Sequence, residues 1–174
     1  KQHSREGIKI YKDGKKHGTW HLKNIVFSGY SGYQDGLTIT NYIDDVKDGN
    51  YYYSSSEYGI EIKGVFKQDF PIGEWTVKRA YDYYNVNEKI LYDNNGNYIR
   101  TDSYFENGQI QCEFKEYSDS TGGYFIDYFE NGQIKSEGNL MHAPAYSSRI
   151  DLNGYYKGGN GYGCREIRDN APKG

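Results

Sequence analysis

The chain has 174 residues, with 21 basic and 24 acidic side chains and a formal net charge of −3. That length is enough for one domain with its own core. The near-balanced charge argues against a nucleic-acid groove, which needs clustered Lys and Arg, and no apolar run is long enough for a membrane-spanning helix. The one basic bunch, Lys12, Lys15, Lys16 and Lys23, reads as a solvated hairpin tip. The chain begins at Lys1 rather than Met, which reads as a removed leader or a trimmed sequence. The compartment stays open, with an exported or cell-envelope site favoured over the cytoplasm.

Composition turns the fold away from helix. There are 21 Tyr and 15 Ile against 4 Ala and 5 Leu, so the residues that suit a pleated surface far outnumber the helix formers. Eight of the 22 glycines follow Asn or Asp: Gly14, Gly36, Gly49, Gly96, Gly108, Gly132, Gly154 and Gly161. Such steps supply the positive backbone angles of tight hairpins.

In chain order, residues 8–23 carry the first regular unit. Tyr11 to Trp20 (YKDGKKHGTW) aligns without gaps to Phe66 to Trp75 (FKQDFPIGEW). The shared element is a glycine followed two residues later by an aromatic. It recurs as Gly18/Trp20, Gly49/Tyr51, Gly73/Trp75, Gly96/Tyr98, Gly123/Phe125 and Gly154/Tyr156. The glycine opens the strand at a tight turn, and the aromatic packs on its counterpart in the next unit. Residues 24–47 fit this period poorly. Residues 49–78 fit well and include Ile60 to Phe66 (IEIKGVF), an alternating strand. Residues 79–93 are again irregular.

Residues 95–140 hold the clearest repeat. Tyr104 to Ile110 (YFENGQI) recurs letter for letter as Tyr128 to Ile134, 24 residues later. Repeats at this spacing are supersecondary units that bury their faces on their neighbours. Residues 141–148, with Pro144, read as a loop; 150–163 is a weaker unit and 168–174 a loose tail. The expected architecture is all-β: one elongated antiparallel meander over residues 1–174, built from about six hairpin repeats of roughly 24 residues. Strand order should follow chain order, with Trp20, Trp75, Tyr51, Phe125, Ile60, Ile110 and Ile134 buried on one face.

These units resemble a known family. YFENGQIKSEGNL, with the glycine-x-tryptophan stretches DGKKHGTW and DFPIGEW, is similar to the MORN-repeat variant common in bacterial proteins. The resemblance covers 8–23, 49–78 and 95–140, and 150–163 more weakly. It implies a non-catalytic scaffold for protein interaction or membrane-proximal assembly, and some bacterial members are labelled antitoxin components. A second likeness, of Gly49 to Tyr53 (GNYYY) to the aromatic hairpins of choline- and glucan-binding repeats, implies a cell-envelope carbohydrate binder instead.

Candidate chemistry is sparse. His3, His17, His21 and His142 sit in no nucleophile motif, and His17 and His21 need not share a face as zinc ligands. The glycine run 158–163 lacks the helix and Lys-Ser or Lys-Thr end of a phosphate loop. Asp44, Asp45 and Asp48 lack the ligand alternation of a calcium loop. No catalytic residue, metal or cofactor is therefore expected. Cys112 falls at a small inward position, and a Cys112–Cys164 disulfide is left open. The tyrosines carry the functional expectation. Tyr52, Tyr124, Tyr128 and Tyr155 fall off the core phase, on the opposite face, where Tyr offers contact area at low entropic cost. The expected partner is a protein, with a glycan as the alternative.

Overall fold

A computed structural model of the chain describes residues 5–28, 32–56, 59–81, 84–116, 122–141, 149–150 and 156–157. Among these there is no helix; one antiparallel sheet of eleven strands dominates. Its strands are β1 (Arg5–Ile8), β4 (Gly18–Ser28), β5 (Gly32–Ile43), β6 (Val46–Ser55), β7 (Ile60–Lys67), β8 (Phe70–Tyr81), β9 (Tyr84–Tyr92), β10 (Tyr98–Tyr104), β11 (Ile110–Glu116), β12 (Gly122–Tyr128) and β13 (Ile134–Met141). They lie side by side in chain order, as local hairpin pairing requires. The two-residue strands β2 (Tyr11–Lys12) and β3 (Lys15–Lys16) form a hairpin of their own, as do β14 (Arg149–Ile150) and β15 (Tyr156–Lys157). Residues 24–28, 32–43 and 46–47, where the sequence period is weakest, run as strands of the same meander.

Two kinds of turn recur among the described residues. Asp13-Gly14, Asp44-Asp45 and Gln68-Asp69 each place both central residues at positive φ, the type I′ geometry that matches strand twist. The Asp44-Asp45 turn reveals a third copy of the tip unit, Tyr42 to Tyr51, between the two that the sequence displays. Successive tips are stitched together by one device. Asp45 N donates to Lys16 O (3.0 Å) while Asp45 Oδ1 accepts from Lys16 N (2.8 Å). Asp69 repeats both bonds on Lys47, at 2.9 Å each. Aromatics pack beneath the tips: Trp20 lies 5.1 Å from Tyr11 and 5.2 Å from Tyr42, ring centre to ring centre. Lys16 sits over both Trp20 and Tyr42, and its counterpart Lys47 over Phe66.

The second turn occurs at 93–97, 105–109 and 129–133. In each, the first residue's N–H bonds the carbonyl of the fifth, and the glycine's N–H bonds the carbonyl of the first. The glycines stand at φ +84, +83 and +82. A Cβ on Gly108 would meet nothing within 4 Å, so backbone conformation alone decides the cost there. Gly108→Ala should therefore lose only about 1–2 kcal/mol, the left-handed penalty of an L residue, with the loss read from the shift of the urea midpoint. Gly36 departs from the Asn/Asp-Gly expectation: it lies inside β5, paired with Asn24 and Ser55.

The core is one face of the sheet, centred on Tyr51, Ile62, Phe66, Trp75, Val77, Ile90 and Tyr92. It continues to Cys112, Phe114 and Phe125, with Trp20 buried beside the first tips. Glycines sit beneath the rings. Gly64 pairs with Tyr51, and a Cβ there would fall 2.0 Å from the Trp75 indole. Gly123, expected to open a strand at a turn, lies within β12, where a Cβ would meet the Phe114 ring at 2.5 Å. Two expected core residues are corrected. Ile134 is 56% exposed and Ile110 only half-buried, with Ile60 packing on the core's margin. Both Ile110 and Ile134 follow a turn directly and sit at a register shift. Among the described residues Ile134 is also on the last strand of the sheet, with a described strand neighbour on one side only. Cys112 is fully buried and disulfide-bonded; the chain's other cysteine, Cys164, is outside the described residues. Also among the described residues, no helix is long and apolar enough to cross a membrane.

Candidate functional site

Side chains alternate across a sheet, so burying Tyr51, Ile62, Trp75, Ile90, Phe114 and Phe125 turns their neighbours outward. The strand registers align these neighbours in one row. Tyr52 pairs with Lys63, Lys63 with Thr76, Thr76 with Lys89 and Lys89 with Asp102. Asp102 then pairs with Glu113, Glu113 with Ile126 and Ile126 with Glu137. Asp102 and Glu113 place like charges on directly opposed positions, which is unfavourable unless a cation intervenes.

Arg100 is that cation. Its Nη2 lies 3.1 Å from Asp102 Oδ2 and its Nη1 3.3 Å from Glu113 Oε2. Tyr128 Oη donates to the other Glu113 oxygen at 2.8 Å. Lys89 turns the other way: its ammonium is 3.1 Å from Glu74 Oε1 and lies over the Tyr104 ring. Asp102 is only 2% exposed, although it belongs to the outward face. Burial raises the pKa of its carboxyl; Arg100 opposes that shift and Glu113 adds to it. Burial, then the bond to Glu113, pushes the Tyr128 phenol up to about 12. Burial also raises Tyr104, helped by the Asp102 charge.

The expected binding tyrosines are distributed unevenly along this face. Tyr124 and Tyr128 share β12, and each hydroxyl is held by a carboxylate on an adjoining strand: Tyr124 by Glu137 at 2.7 Å, Tyr128 by Glu113. Tyr52 is similarly tied to Glu61 at 3.2 Å, and Lys63 lies over its ring. Tyr52 is on β6, however, six strands from β12, or about 29 Å at normal strand spacing. It therefore belongs to a separate stretch of the face. Tyr155 lies outside the described residues.

Sequence reasoning passed over Lys89, Arg100, Asp102, Tyr104 and Glu113. One trace of them was present: Arg100, Asp102 and Tyr104 are spaced by two in a single strand. The partner strands that complete the cluster could not be read from that spacing. Among the described residues, no three His, Cys, Asp or Glu side chains are grouped so as to hold a metal ion. The chain matches no family model, no curated protein and no solved structure.

Proposed function

We propose that the chain is a non-catalytic β-repeat module whose outward face over β9–β13 holds a protein partner. The observation that carries this reading is the Arg100–Asp102–Glu113–Tyr128 cluster, with a buried carboxylate on the face that the aromatic core does not use. A merely solvated face gains nothing from burying a charge, which costs stability. Perturbed ionisable groups gather at functional sites, and fixed Tyr and Arg side chains are the residues that dominate protein interfaces. The resemblance of the repeats to MORN scaffolds supports the same reading. A glycan would need open aromatic faces, whereas Lys63 and Lys89 lie over the rings of Tyr52 and Tyr104. The observation on the carbohydrate side is the Tyr124 hydroxyl bonded to the Glu137 carboxylate at 2.7 Å.

The test is affinity capture from the native source, with the wild type and Tyr124→Ala/Tyr128→Ala as parallel baits. A protein retained by the wild type and depleted on the variant is the expected result. A protein retained equally by both would place the partner elsewhere. A soluble polysaccharide bound only by the wild type would favour the glycan reading.

A further inference from the structure

One group of the proposed face, Asp102, has a bonding capacity that its described neighbours do not fill. Asp102 is buried between β9 and β11, and only one of its oxygens is used: Oδ2 meets Arg100, while Oδ1 is buried without a hydrogen-bond partner among the described residues. Arg100 is shared by two carboxylates and its side chain is 42% exposed, so it has an outlet to solvent. The charged and titratable groups around Asp102 are Lys89 from β9, Arg100 and Tyr104 from its own strand, Glu113 from β11 and Tyr128 from β12. Lys89 does not release Asp102 from its dependence on Arg100, because its ammonium is engaged by Glu74.

We propose that Asp102 is a proton-operated latch on Arg100, the guanidinium of the binding face. When ionised, Asp102 and Glu113 together hold the guanidinium down. When Asp102 takes one proton from solvent, an O–H bond forms on its carboxyl and the Asp102–Arg100 ion pair is lost. The Arg100–Asp102–Glu113 group then passes from one net negative charge to neutral. Arg100 keeps Glu113 and gains a free Nη2 that can donate to a partner's carboxylate. The face therefore becomes more receptive to an anionic group as pH falls. This inference rests on the face being the binding face, but its test is read on the protein alone. Failure of the latch would leave the tyrosine result standing, and the converse also holds.

The direction of titration supports the geometry. A carboxyl whose folded-state pKa is raised weakens the fold at neutral pH, and that cost is relieved as pH falls through the folded value towards the ordinary one. The test is a carbon-13 titration of the Asp102 carboxyl with nitrogen-15 detection of the Arg100 guanidinium. The latch requires an Asp102 midpoint above the ordinary aspartate value and an Arg100 shift that follows it. Glu113→Gln should lower that midpoint by removing a repelling charge, and Arg100→Gln should raise it. In urea denaturation, wild type should gain on Asp102→Asn between about pH 7 and pH 4, the interval that brackets a raised aspartate. An Asp102 midpoint at or below the ordinary value would overturn the latch. So would an Arg100 signal that follows only Glu113, or a wild-type-to-variant difference that does not change with pH.

Discussion

Trp75→Ala should lower stability by about 3–5 kcal/mol, the range for truncating a buried large aromatic. Trp75 is fully buried, with its ring 4.9 Å from Phe66 and 5.5 Å from Tyr51, in a cluster that also holds Ile62, Val77 and Ile90. These residues come from successive strands of a single sheet, so the indole links four hairpin arms. The hole left by alanine would be lined by β-sheet side chains fixed in register, with little freedom to collapse inward. Urea denaturation followed by circular dichroism measures the loss. An unchanged midpoint would mean that Trp75 is not at the centre of the core.

Gly64→Ala is the second large effect, and it acts on the same contact from the other side. The added methyl would lie 2.0, 2.3 and 2.5 Å from three atoms of the Trp75 indole. No real Cβ tolerates such distances, and the indole cannot swing aside because Tyr51 and Phe66 flank it. Overpacking of this kind costs about 1–3 kcal/mol, and more where the neighbour is rigid. The expected loss is at or above the top of that range, well beyond that of Gly108→Ala, where only φ is strained. Because Gly64 and Trp75 share one volume, their losses should not add. In Gly64→Ala/Trp75→Ala the alanine methyl occupies part of the vacated space, so the double variant should lose less than the sum of the singles. Additive losses would contradict the contact.

Much of this arrangement was legible in the chain. Alternation of apolar and polar residues, the Asn-Gly and Asp-Gly steps and the 24-residue repeat lead to an antiparallel meander in chain order, and the structure has that topology. The aromatic phase identified Trp20, Tyr51, Trp75 and Phe125 as buried. Ile134 misled because period two gives the face of a residue but not its distance from the sheet's edge. The tip unit at Tyr42 to Tyr51 was obscured because it straddles the end of the irregular stretch 24–47 and ends in Tyr51, without the Gly-x-Trp ending that links Tyr11 to Trp20 with Phe66 to Trp75. Asp45 accepts the left-handed conformation that glycine adopts more easily, and its carboxylate caps Lys16.

Phase placed Tyr52, Tyr124 and Tyr128 off the core face, but it did not give their surroundings. Arg100, Asp102 and Glu113 become one cluster only through the pairing of β10 with β11, which carries a register shift at Ser103/Tyr104. A single strand does not encode that pairing. Nor does it encode the six-strand gap that separates Tyr52 from Tyr124 and Tyr128.

The most direct test of the two-faced account is the affinity of the captured partner for wild type and for Tyr124→Ala/Tyr128→Ala, measured by titration calorimetry. The melting midpoint of each protein serves as the control. The double variant should bind more weakly by about 2 kcal/mol or more, roughly thirtyfold, as aromatic hot spots give, with a stability loss well below that of Trp75→Ala. Unchanged affinity, or a loss of stability as large as that of Trp75→Ala, would contradict the division into a structural face and a binding face.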